Sequence, residues 1–183
     1  MFCGGDKTQP YLRIGKFQIV KCFICGLVFT NPRLPQKAMS NVYNESYFKS
    51  KDSLVHGYED YALEKPNIQR SFKKRWDHLL TYSGKKKGRL LDVGCAYGFL
   101  LELAQECGWT AFGLDTSRPA VSYATKVLKL NVKRSDLSTI PFPNASFDVI
   151  VLWDTIEHMP NPFRRLIVSP SLGSQPAARP STH

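Results

Sequence analysis

Leu90-Leu91-Asp92-Val93-Gly94-Cys95-Ala96-Tyr97-Gly98 decides the fold. An apolar run ends at an acid, a turn of small residues follows, and Phe99-Leu100-Leu101-Glu102-Leu103-Ala104 resumes as an apolar helix. That order is how a doubly wound α/β domain builds a ligand cradle at the carboxyl end of its first strand. Gly94 and Gly98 let backbone approach a ligand, with Cys95 and Ala96 between them. The amino terminus of the next helix offers free N–H groups to a carboxylate or phosphate. NAD-binding enzymes use a similar turn, so the turn alone leaves the ligand open. A plain strand-to-helix connection is the other reading. Asp92 argues against it, because a carboxylate closing a buried strand needs a partner.

The sequence on either side keeps a regular alternation. Strand 89–93 leads to a helix over 98–107 that stops at Gly108. Strand 109–114 ends at Asp115, and Ser117 with Pro119 opens a helix running to about Leu130. A short strand at 131–134, a loop holding Pro141 and Pro143, and a strand over 147–152 complete the run. This order predicts an α/β fold, a Rossmann-like parallel sheet with helices on both faces. Upstream, Ile68, Phe72, Trp76, Leu79 and Leu80 form one stripe of an amphipathic helix over 66–82. From Ile167 the periodicity ends, and residues 168–180 contain no acid and no aromatic. They read as disordered. The expectation is an incomplete domain, through truncation or a frame change near Arg164–Ile167. A native flexible tail is the alternative.

Two more acids follow the turn in order. Asp115, with Thr116 beside it, lies about 20 residues past the glycine turn, where an acid can accept both ribose hydroxyls of an adenosyl cofactor. A helix-capping aspartate is the other reading. Asp136-Leu137 follows the third strand, where the acid can meet an adenine amino group and apolar neighbours can sandwich the ring. An ordinary loop aspartate is the alternative there. His158 follows the fourth strand. A neutral imidazole there can take a proton from an acceptor, or it can be a structural loop histidine. Tyr43, Tyr47 and His56 are weaker candidates to line a flap, against an aromatic core or hinge.

Composition narrows the class. The chain has 183 residues, is 43% hydrophobic and carries five cysteines. That is room for one domain with an appendage. No run approaches the ~20 apolar residues of a membrane span, and no signal peptide opens the chain. Cytoplasmic location is expected, where paired cysteines favour metal or redox roles over disulfides. The net charge of +10 falls wholly in residues 1–89, and residues 90–183 are balanced. Lys73-Lys74-Arg75 and Lys85-Lys86-Lys87 read as solvated surface, since no run of aromatics interleaves them as in single-strand binders. Nucleic acid is therefore not the expected partner.

Leu91–Gly98 resembles motif I of class I S-adenosylmethionine-dependent methyltransferases. Gly113-Leu114-Asp115-Thr116-Ser117 resembles the family's ribose-binding segment. Pro141-Phe142-Pro143, Phe147-Asp148-Val149-Ile150 and Asp154-Thr155-Ile156-Glu157-His158-Met159 resemble its later motifs. The resemblance covers roughly residues 66–165. It departs at Ala96, where many members have glycine, and in the missing later strands. It implies methyl transfer from S-adenosylmethionine to a small-molecule or sugar acceptor. The glycine turn and Asp92 would hold the methionine end, Asp115 the ribose, and Asp136-Leu137 the adenine. Trp153 and Asp154 would floor the site near the methyl group, and His158 would face the acceptor. A non-catalytic module binding cofactor, zinc or nucleic acid is the alternative.

The last constellation is cysteine. Cys22-x-x-Cys25-Gly26 has the spacing of half a zinc knuckle, and Cys3-Gly4-Gly5 reads as the second member of an earlier pair. The missing partner would precede Met1, so the start is expected to lie further upstream. Cys22–Pro32 also resembles the zinc-binding amino-terminal segment of some bacterial methyltransferases, including those that modify sugars. A redox pair or a metal-free hairpin remains open. Cys95 and Cys107 read as core. The expected organisation is a zinc-ribbon-like module over 1–35, a linker or flap over 36–65, the core over 66–166 and the tail over 167–183.

Overall fold

The computed structural model describes residues 3, 5–33, 35, 38, 42–50, 57–135, 137, 142–143 and 145–159. His56, Asp136, Pro141 and the tail expected from residue 167 lie outside the described residues. An antiparallel sheet comes first: β1 (Thr8–Ile14), β2 (Phe17–Cys22) and β3 (Val28–Thr30), in that spatial order. The short helix α1 (Glu45–Phe48) is capped by the Asn44 side chain, which accepts from Ser46 N–H. The long helix α2 (Lys65–Ser83) ends on Gly84, whose φ of 64° needs the freedom of glycine.

The second sheet holds β4 (Arg89–Val93), β5 (Thr110–Asp115), β6 (Val132–Arg134) and β7 (Val149–Val151). Its spatial order is β6-β5-β4-β7, and every neighbouring pair is parallel. Helices α3 (Phe99–Glu106) and α4 (Arg118–Lys126) make the crossovers. Ser117 caps α4, its side chain accepting from Ala120 N–H. The helix stops at Lys126, before the expected Leu130. Leu130 instead turns inward, its side chain packing at Gly98.

The sheet's two faces are covered differently. Leu90 on one face packs with Trp76 of α2, Leu100 and Leu101 of α3, and Ala124 of α4. Leu91, Val93 and Leu114 on the other face pack with Leu137 and Phe147, and with the partly buried Phe142 and Met159. Among the described residues, α2, α3 and α4 share one face and connecting segments cover the other. Continuous apolar strands demand two covers, but do not say whether helix or loop supplies them. Cys95 is buried as expected, whereas Cys107, capping the end of α3, is exposed. No helix among the described residues is long and apolar enough to cross a membrane.

Leu101 is wholly buried, while Val127 is 59% exposed. Leu101→Ala should lose about 2–5 kcal/mol of stability in urea denaturation. Val127→Ala should stay within about 0.5 kcal/mol of the parent.

Candidate functional site

β4 and β5 end side by side, and their last residues and following turns open into one cleft of about 420 Å³. The turn after β4 is left-handed at Gly94 (φ 79°), Ala96 (φ 48°) and Gly98 (φ 86°). At Gly94 a Cβ would come within 2.2 Å of Thr155 Oγ1, so only glycine fits the close approach of the two segments. Ala96 sits in the same left-handed region with its methyl group retained. The Asp115 carboxylate holds it there: Ala96 N–H donates to Oδ2 at 2.8 Å, and Ser117 N–H donates to Oδ1 at 2.7 Å.

Asp92, Gly94, Cys95, Ala96, Asp115 and Thr116 all line the cleft, and Leu137, Trp153, Asp154 and His158 join them. Gly98 does not. It starts α3 and packs against Leu130 and Ala124. Asp154 lies at the rim rather than the floor, with a side chain 66% exposed and bound to Arg75 at 2.9 Å. Trp153 stacks on Phe72 of α2, ring centroids 5.8 Å apart. Arg75 also lies over the Trp153 ring, so one residue of the expected solvated block serves the cleft.

Residues 43–48 and 58–61 supply a wall, for which sequence patterning offered Tyr43 and Tyr47 alongside His56, outside the described residues. Phe48, Tyr58 and Tyr61 line the cleft as well. The anchor is Tyr97, stacked between Phe48 at 4.8 Å and Tyr123 at 4.0 Å. Tyr61 stacks on Phe99 at the start of α3, centroids 5.5 Å apart. An aromatic residue inside a glycine turn was the available signal for this docking. The Tyr43 ring meets His158 edge to face at 5.8 Å, and the Tyr43 carbonyl accepts from Ser117 Oγ. Burial raises the Tyr61 phenol and pushes Tyr47 up to about 12, so both stay neutral hydroxyls.

Asp92, Asp115 and Asp154 line the cleft, and no Lys or Arg does among the described residues. Asp92 is 4% exposed, and no hydrogen bond reaches its carboxyl among the described residues. Burial pushes it up to about 8, with the charges of Asp115 and Asp154 adding to the rise. Asp115 is raised too, again by burial, against its backbone N–H donors.

The cysteines meet at the far end of β2. Cys3, Cys22 and Cys25 place their sulfurs within 4.8 Å of one another, with Cys3 and Cys22 at 3.6 Å. Backbone N–H groups of Cys25 and Ile24 turn toward Cys22 and lower its thiol to about 7.

A family model described as "Methyltransferase domain" matches residues 66–167. The chain is 30% identical over 118 residues to a ubiquinone biosynthesis O-methyltransferase of Azoarcus sp. (strain BH72), covering 60% of this chain and 49% of the relative. A protein of the same name from Thiobacillus denitrificans is 33% identical over 133 residues, covering 68% of this chain and 56% of that one. The chain thus spans about half the length of the curated relatives it matches. Among solved structures, the PH0226 protein of Pyrococcus horikoshii OT3 shares the fold, with a TM-score of 0.50 and 21% identity. That match covers 55% of this chain and 50% of the other.

Asp92 makes stability depend on pH. Its folded value of about 8 exceeds the roughly 3.9 of an unfolded aspartate. Between those values the folded state keeps a proton that the unfolded state has lost. Stability therefore falls as pH rises from about 4 to about 8, by up to roughly 1.4 kcal/mol per unit, and levels off above. Asp92→Asn should lack this loss. Its urea midpoint should rise relative to the parent between pH 5 and pH 8, and parallel midpoints would show Asp92 to be ionised throughout.

Proposed function

The chain belongs to the methyltransferase domain family, and from that premise we propose that it binds S-adenosylmethionine in the cleft and methylates a small-molecule or sugar acceptor. One observation carries this reading: Asp92 and Asp115 line the cleft with no Lys or Arg among the described lining residues, while Asp154 at the rim is paired with Arg75. A sulfonium and an ammonium are cations and suit such a lining. A dinucleotide pyrophosphate is an anion and does not. The unpartnered, buried Asp92 fits the same ligand, because a cationic group would hold its proton off and satisfy it.

S-adenosylmethionine supplies a methyl group already activated on a sulfonium. Asp92 and the backbone of Gly94, Cys95 and Ala96 take the methionine end. Each Asp115 oxygen accepts one backbone N–H, which leaves lone pairs for the two ribose hydroxyls. Leu137 packs on the adenine side, where Asp136 is the proposed partner of the amino group. The neutral phenols of Tyr47 and Tyr61 exclude water and can donate to the acceptor. Displacement at a sulfonium gains most from alignment and dryness, which the aromatic wall supplies. His158 stands on the acceptor side and can take the proton released by a hydroxyl. The names of the two relatives put oxygen first among acceptor atoms to try.

Isothermal titration should show S-adenosylmethionine binding and no NAD binding. Asp115→Ala should weaken the former about 10- to 100-fold, the value of one or two hydrogen bonds to a charged group. Tighter binding of NAD would overturn the reading.

The cysteine cluster is proposed as a zinc site. At a Zn–S length of about 2.3 Å, tetrahedral sulfurs lie roughly 3.8 Å apart. The 3.6 Å separation of Cys3 and Cys22, and all three sulfurs within 4.8 Å, fit three corners of that figure. Backbone donors lower the Cys22 thiol toward the thiolate a metal needs, whereas the neighbouring sulfurs raise Cys25, so the geometry carries the proposal. Cobalt(II) added to the full chain should give a thiolate charge-transfer band. Zinc should bleach it, and Cys25→Ser should weaken metal binding at least tenfold.

A further inference from the structure

Arg33 lies just past β3, at the end of the amino-terminal sheet. Its guanidinium reaches 126 residues along the chain, Nη1 donating to the Met159 carbonyl at 2.8 Å. Nη2 donates to the carbonyl of Glu157. These carbonyls close the single 3₁₀ turn Ile156–His158, where no further amide of the turn can reach them. His158 lies between the two clamped peptides.

The rest of this segment is tied to the sheet domain. Asp154, at φ 55°, pairs with Arg75, and Thr155 packs into the space at Gly94. Beyond Thr155 the ties change. Among the described residues, the only long-range hydrogen bonds to residues 157–159 come from Arg33. The Tyr43 ring is the His158 side chain's aromatic neighbour.

We propose that Arg33 is a positioning residue: it carries the amino-terminal module's placement into the cleft by fixing the backbone on both sides of His158. A planar fork satisfies two carbonyls at once, which a single ammonium cannot do in the same geometry. The module is then part of the acceptor wall. Its cysteine cluster sits where β2 ends and before β3 begins, β3 leads to Arg33, and Arg33 sets the imidazole against Tyr43. The consequence for methyl transfer rests on the function proposed above, whereas the clamp itself does not.

The test uses the full chain with Arg33→Ala and Arg33→Lys. In hydrogen exchange, residues 156–159 should exchange at least tenfold faster in both variants, while β4 and β5 keep the parent's rates. The His158 ring signals in NMR, displaced in the parent by the Tyr43 ring, should move toward free-histidine values. Unchanged exchange and ring signals in a folded Arg33→Ala protein would overturn the proposal, as would restoration by lysine. If Arg33→Ala does not fold, Arg33→Lys carries the test alone. S-adenosylmethionine titration of the parent separates the two claims: no binding sinks the functional reading and leaves the clamp to be judged by exchange.

Discussion

The Asp115 carboxylate is the constraint on which the cleft depends. One oxygen holds Ala96 N–H and the other holds Ser117 N–H. The turn after β4 and the start of α4 are thus fixed by one side chain. That bond also offsets a local cost. A non-glycine residue at φ 48° gives up about 1–2 kcal/mol, which the surroundings must repay. With Ala96 held, Tyr97 is aimed out of the turn into the stack between Phe48 and Tyr123. The aromatic wall over residues 43–48 and 58–61 therefore hangs from the same turn that lines the cleft.

The cleft is electrostatically costly when it holds no cation. Asp92 is buried with no donor, and Asp115 and Asp154 both oppose its ionisation. A chain under selection for stability alone would place an apolar residue at the end of β4, as at its neighbours Leu90 and Leu91. On the proposed reading a cationic ligand would compensate carboxylates kept in so unfavourable a place, a trade of stability for affinity.

Local signals were legible because their geometry is local. The turn glycines, the Ser117 cap, Gly108 after α3 and the acid ending β5 are each set by two to four neighbouring residues. Thus the parallel sheet, its crossovers and the turn that follows β4 could be read directly. Contacts across the chain could not. Arg75 looked like part of a solvated block, yet it meets Asp154 79 residues away. Arg33 gave no signal at all, since a single arginine after a turn has no pattern. Cys107 was misplaced because hydrophobic character predicts burial only within an element, and it caps one. Gly98 belongs to the motif by spacing but serves helix packing, a distinction that needs the neighbouring Leu130.

The uneven charge finds a partial explanation inside the molecule. Lys65 meets Glu102 at 2.8 Å, Arg75 meets Asp154 at 2.9 Å and Lys85 meets Asp148 at 2.7 Å. Each pair joins a base from residues 1–89 to an acid from the balanced half, and Arg33 adds two carbonyls of that half. Single pairs at this exposure are worth about 0–1 kcal/mol, so they add little to stability. Their effect is directional. They set where α2 and the amino-terminal sheet lie against α3, the start of β7 and the segment leading to His158. A basic half built against an acid-bearing half is thus a means of assembling the cleft, before any anionic partner is invoked.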